Sequence, residues 1–140
     1  MVEFIVGEKG RGKTTHLIER AEKAVESADG SVVFIDRDNT KMFDLNRNIR
    51  LVNLKNYNLA DHNAFIGFIS GIISQNKDIE YIFIDGFMND AKIDVNSTFE
   101  ETVNQLEDIS DQFNINFVLS VSKAKEDIPE TLYSKIVLAL

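Results

Sequence analysis

The chain has 140 residues, 44% of them apolar and 27% charged, with a formal net charge of −8 and no cysteine. Such a length and composition fit a single soluble domain over residues 1–140, large enough to bury a core. The acidic balance argues against a sequence-independent nucleic-acid surface over the whole chain, and the lack of cysteine excludes disulfides and thiolate metal sites. The longest apolar stretch, residues 64–73, is about half a membrane span. The first apolar run is too short for a secretory signal and is interrupted by Glu3, so a cytoplasmic location with no membrane association is expected.

Residues 2–6 read as a short buried strand. Directly after them, Gly7-Glu8-Lys9-Gly10-Arg11-Gly12-Lys13-Thr14 spells G-x-x-x-x-G-K-[ST], the Walker A phosphate-binding loop. The four fixed positions match by chance in roughly one window in tens of thousands. The glycines let the chain curl so that successive N–H groups point at phosphate oxygens, and the following helix adds partial positive charge at its N-terminus. These eight residues and Thr15 form the expected nucleotide-binding set. Lys13 can reach the β- and γ-phosphates, and the Thr14 hydroxyl can take a position on Mg²⁺, the expected cofactor. Lys9 and Arg11 add positive charge to the loop, with Arg11 also able to face solvent.

The next segment, residues 14–28, is an amphipathic helix. Leu17, Ala21, Ala24, Val25 and Ala28 share one face, Glu19 and Lys23 pair at i,i+4, and Asp29-Gly30 ends it. Residues 31–36 (S-V-V-F-I-D) are a second buried strand. An asparagine-rich stretch follows over 37–61, with a short strand candidate at 49–54. Its cations Arg37, Lys41, Arg47, Arg50 and Lys55 read first as a solvated loop. Nucleic acid, a base moiety or an acidic partner are the alternatives, and the net charge does not support nucleic acid. A second helix over 61–75 carries Phe65, Phe68, Ile69, Ile72 and Ile73. Its Gly67 and Gly71 are expected to pack closely against a sheet.

Residues 81–85 (Y-I-F-I-D) are a third strand. The segment 86–96 mixes Phe87, Met88 and Ile93 with polar residues, and two readings stay open: a partner-binding loop, or a segment tucked into the core. A third helix opens on a capping box, Ser97-Thr98-Phe99-Glu100, and continues through Val103, Leu106, Ile109 and Phe113. Residues 116–121 and 135–140 are the fourth and fifth strands. Alternating strands and helices, with each strand a continuous apolar run, predict an α/β three-layer sandwich with a mostly parallel five-stranded sheet. Such sheets bind ligands beyond the carboxyl ends of their strands, where the loop, Asp36, Asp85 and Ser120 or Ser122 should converge.

Asp85 closes four apolar residues in the hhhhD pattern called Walker B, where a carboxylate can hold Mg²⁺ or its water shell. The residue after it is Gly86, not the glutamate that orients water in many ATPases. If the chain hydrolyses ATP, that carboxylate must come from elsewhere, and the second strand offers Asp36 and Asp38 as candidates in Phe34-Ile35-Asp36-Arg37-Asp38. This stretch resembles the F-I-D-x-E of RecA-type recombinases, and the order of motif-bearing elements resembles the RecA-like core of P-loop NTPases. That resemblance implies that the strand after Walker B lies between the Walker A and Walker B strands. It also implies that Asp38, one methylene shorter than the family's glutamate, positions the hydrolytic water, and that Ser120 or Ser122 senses the γ-phosphate. Asp36 instead can order Arg37 or the metal's water shell.

The leading expectation is a small ATPase that binds ATP·Mg and couples binding or hydrolysis to an unidentified protein partner, with Lys13 and Asp38 as its catalytic residues. The alternatives are a nucleotide-binding module with little or no hydrolysis, and a nucleotide or nucleoside kinase. A kinase is disfavoured because no arginine follows Arg50 to build a lid. GTP is disfavoured because the N-K-x-D motif is absent. Lys123 and Lys125 are candidates for cations acting across an oligomer, and His16 and His62 read as surface residues.

Overall fold

The continuous apolar runs become strands covered on both faces. The computed structural model describes residues 1–37, 45–91 and 98–140. In chain order the elements are β1 (Val2–Val6), α1 (Lys13–Ser27), β2 (Ser31–Asp36), β3 (Ile49–Asn53), α2 (His62–Gln75), β4 (Ile79–Ile84), α3 (Phe87–Asp90), α4 (Phe99–Phe113), β5 (Asn116–Val121) and β6 (Ile136–Ala139). One sheet holds six strands in the order β3-β2-β4-β5-β1-β6, and every pairing in it is parallel. The short candidate at 49–54 is therefore the sixth strand, an edge strand paired with β2 from Val32↔Ile49 to Asp36↔Asn53. Its Arg50 and Asn53 break the apolar pattern because an edge strand buries less of itself. As expected, β5 lies between the Walker A strand β1 and the Walker B strand β4.

The period-2 geometry of the strands sorts each apolar run between two cores. Val2, Phe4 and Val6 of β1, Val33 and Ile35 of β2, Ile82 and Ile84 of β4, and Phe117, Leu119 and Val121 of β5 join α2, α3 and α4 in the larger core. Ile5, Val32, Phe34, Phe83 and Val118 point the other way and pack on Leu17, Ala21 and Ala24 of α1. Each fully buried side chain of this kind contributes about 1.5–3 kcal/mol. Phe87 and Ala91 are fully buried, so the first part of the segment after Asp85 tucks into the core. Its remainder, with Ile93, lies outside the described residues.

Local signals account for most helix boundaries. Asp61 caps α2, its side chain accepting from the Ala64 N–H at 2.8 Å. The helix expected from the capping box starts at Phe99 with Thr98 as its N-cap and no side-chain cap bond, while Ser97 lies outside the described residues. One expectation fails outright. Gly67 and Gly71 do not pack against the sheet: both are exposed, and a Cβ built on either meets nothing within 4 Å. The buried residues of α2 are Phe65, Ile69 and Ile73, and a G-x-x-x-G pair two positions out of phase with them must face outward.

With no close approach to protect, these glycines only weaken the helix. Gly67→Ala and Gly71→Ala should each raise stability by about 0.5–1 kcal/mol. Urea unfolding midpoints measure it, and a loss of stability in either variant would mean that the outward face is packed after all.

Candidate functional site

The carboxyl ends of β1, β2, β4 and β5 form one rim. A cleft of about 430 Å³ opens there, lined by Lys9, Gly10, Gly12, Lys13 and Thr14 from the loop, by Asp36 and Arg37 after β2, by Asp85, Gly86, Asn89 and Asp90 after β4, and by Ser120 and Ser122 from β5. Parallel register makes this convergence obligatory: Val6 stands opposite Val121, and Ile35 opposite Ile84. The loop residues after Val6 therefore open beside Ser122, and Asp36 beside Asp85.

The loop has the backbone its motif demands. Gly10 and Gly12 both have φ +87°, a left-handed conformation that side chains with a Cβ rarely adopt. Gly12 is the N-cap of α1, so the helix dipole points into the cleft. Lys13 is 7% exposed, and its Nζ donates to the Glu8 carbonyl at 3.0 Å, across its own loop. Burial lowers the Lys13 pKa, and the Asp85 carboxylate opposes that shift. Arg11 is exposed and lies away from the cleft lining, whereas Lys9 lies in it.

Asp85 is the centre of the polar network. The Thr14 hydroxyl donates to its carboxylate, 3.0 Å from Oδ2 and 3.2 Å from Oδ1. The buried Ser120 hydroxyl donates to Oδ1 at 2.7 Å and accepts from the Gly86 N–H at 2.7 Å. Ser120 is thus committed to orienting Asp85, while Ser122 is exposed at the cleft wall. Gly86 has φ +72°, which explains the missing glutamate: a side chain there would be strained. Among the described residues no group of three histidine, aspartate or glutamate side chains could hold a metal by itself. A hydroxyl beside a carboxylate instead suits Mg²⁺, which takes hard oxygen ligands and keeps several of its waters. Thr14 and Asp85 would hold it.

Two features escaped the sequence. The first is Asp90, 1% exposed, whose Oδ1 lies 3.3 Å from Arg37 Nε. Arg37 Nη2 also donates to the Asn89 carbonyl at 3.0 Å, and Asp36 Oδ1 accepts from the Arg37 N–H at 2.7 Å. The Arg37–Asp90 pair therefore fastens the end of β2 to α3 across the rim. The second is Asn89, which joins the cleft wall. An Asp five places beyond Walker B carries no motif, and only the tertiary fold brings it to Arg37. Burial pushes the Asp90 carboxyl up to about 8; Arg37 opposes this, and the Asp36 and Asp85 carboxylates add to it. Lys123 and Lys125 are not part of the cleft lining. Asp38 lies outside the described residues.

A solved KaiC-like protein from the hyperthermophilic archaeon Pyrococcus horikoshii superposes with a TM-score of 0.60 at 15% identity, covering 86% of this chain and 60% of that one. The fold is RecA-like. The chain spans about 60% of the length of that neighbour, and the likeness extends to architecture alone. No family model and no curated protein matches the sequence. No described helix is long and apolar enough to cross a membrane.

The raised Asp90 pKa has a sign that can be tested. A carboxyl whose folded pKa exceeds its unfolded value stabilises the fold fully below the unfolded value, near 4, and loses that contribution as pH rises through about 8. Asp90→Asn keeps the shape and removes the proton. Its stability relative to the parent should therefore climb between pH 5 and 8, by up to about 1.4 kcal/mol per pH unit. Urea midpoints at several pH values measure this; a difference that stays constant with pH would refute it.

Proposed function

We propose that this protein is a small cytoplasmic ATPase that binds ATP·Mg in the rim cleft and couples binding or hydrolysis to a protein partner. One observation carries the reading: the Thr14 hydroxyl sits against the Asp85 carboxylate at the mouth of a left-handed glycine loop. That is where a phosphate-bound Mg²⁺ needs its two protein oxygens. Backbone N–H groups of residues 8–14 cradle the phosphates. Lys13 leaves the Glu8 carbonyl for the β- and γ-phosphate oxygens, where its charge is better compensated. Its burial strengthens that contact, because the surroundings screen it less than water does.

Mg²⁺, when bound, neutralises charge developing on the phosphates. The chain's own residues position the reactants. Ser120 fixes the rotamer of Asp85, and Ser122 at the wall senses the terminal phosphate. Asp38, two residues beyond the strand-ending Asp36, orients the attacking water and accepts its hydrogen bond. The default nucleotide is ATP, in keeping with the RecA-like fold. Lys123 and Lys125 remain available to a neighbouring subunit in an oligomer.

A second reading is a module that binds nucleotide as a signal and barely turns it over. The backbone at Gly86 favours it, because a water-orienting glutamate beside Asp85 would be strained at φ +72°. The kinase alternative gains no comparable support.

Two measurements separate these readings. Isothermal titration with ATP·Mg should show binding that Lys13→Ala abolishes and that Asp85→Asn weakens by about tenfold or more, roughly 1.4 kcal/mol. Unchanged affinity in Lys13→Ala would defeat both readings. Phosphate release should then fall on the order of a hundredfold in Asp38→Asn if that residue orients water. Turnover indifferent to Asp38, or undetectable in the parent with any partner, would leave the signalling module as the function.

A further inference from the structure

A second cleft, of about 420 Å³, adjoins the first at the same end of the sheet. Residues 54–59, just beyond edge strand β3, form one side of it, and Arg37 and Asp90 form the other. Arg37 and Asp90 thus line both clefts, and their contact is the partition between them. The wall formed by 54–59 is built rather than slack. Leu54 is buried, the Asn53 side chain accepts from the Lys55 N–H at 3.0 Å, and the Tyr57 N–H returns to the Leu54 carbonyl at 3.0 Å. The Tyr57 ring packs on Phe68 with centroids 5.2 Å apart, yet Tyr57 stays 55% exposed.

The lining specifies a charge. Lys55 and Arg37 are the cations, Asn56 and Asn58 bring amides, and Tyr57 offers an apolar flank. Among the described residues Asp90 is the sole carboxylate in the lining, and Arg37 already engages it. In a chain of net charge −8, a cleft whose free charge is positive selects anions. The volume suits a small molecule.

The geometry points to this second cleft as a binding site for a small ligand bearing a phosphate or carboxylate group, held by Lys55 and Arg37, and linked to the phosphate-loop cleft because the two share Arg37. An anion in either cleft draws on the same guanidinium. Occupancy of one by a terminal phosphate therefore weakens the other, and the effect is reciprocal. The site itself stands on its own lining, whereas the linkage rests on the nucleotide reading above.

The test uses the full chain, isotope-labelled and loaded with ADP·Mg, titrated separately with inorganic phosphate and with succinate at constant ionic strength. Backbone amide shifts of residues 55–58 report the cleft. At least one anion should move them saturably, and Lys55→Gln, which leaves the phosphate loop untouched, should weaken that anion about tenfold. A response to phosphate alone, to succinate alone or to both supports the site and names the group it takes. No shift with either anion, or an equal response in Lys55→Gln, overturns it. Replacing ADP with a non-hydrolysable triphosphate should weaken the anion several-fold, and Arg37→Gln should erase that difference; an unchanged affinity overturns the linkage. The anion titration repeated on Lys13→Ala without nucleotide reads the second cleft alone, so failure of the nucleotide reading is told apart from failure of this one.

Discussion

The rim depends on how one carboxylate is held. Asp85 accepts from the Thr14 and Ser120 hydroxyls, and its own N–H donates to the Ile35 carbonyl at 2.9 Å. Four chain segments therefore meet at one residue: the loop after β1, the end of β2, the end of β4 and the end of β5. A carboxylate at a half-buried strand end loses hydration, and charge-assisted hydrogen bonds offset that loss. The Ser120 hydroxyl spends its proton on Asp85 and its lone pair on the Gly86 N–H, so its orientation is set from both sides. The insertion of β5 between β1 and β4 makes this possible. Without it, Thr14 and Asp85 would face each other with nothing to fix the carboxylate's rotation.

What the sequence revealed follows the range of the physics involved. The loop was legible because its chemistry is local: glycine at φ +87°, lysine and threonine on the first turn of a helix. Strands β1, β2, β4 and β5 were legible because burial on both faces leaves an unbroken apolar run. The edge strand β3 showed only as a short candidate, because Arg50 and Asn53 can face water there. The outward turn of Gly67 and Gly71 depends on which residues of α2 reach the core. Phe68 and Ile72 are apolar too, so composition could not choose between faces. The contact between Arg37 and Asp90 was invisible for a different reason. The two residues are distant in the chain, and each alone reads as an ordinary surface charge. Asp38, on which the hydrolysis reading turns, lies outside the described residues, and its role rests on a resemblance.

Charge gives the rim its logic. Lys9, Lys13 and Arg37 line the first cleft, and so do Asp36, Asp85 and Asp90. Three cations facing three acids leave little net attraction for a bare triphosphate, which would meet carboxylates as readily as ammonium groups. A divalent ion held by Thr14 and Asp85 would change that balance, because it would turn the acid from a repulsive neighbour of a phosphate into a ligand. Asp90 contributes in another way. Its burial favours the neutral acid, which removes one negative charge from the cleft without removing the side chain that holds Arg37. The third acid, Asp36, is tied by the Arg37 N–H. Each carboxylate is thus met by a separate device: the Thr14 and Ser120 hydroxyls at Asp85, a proton at Asp90, a backbone donor at Asp36. The positive charges are held unequally. Lys13 rests on a neutral carbonyl and Arg37 on an acid that readily takes a proton. Lys13, which among the described residues has only that neutral partner to give up, is the cation that would lose least by turning to a phosphate, whereas Arg37 stays tied to α3.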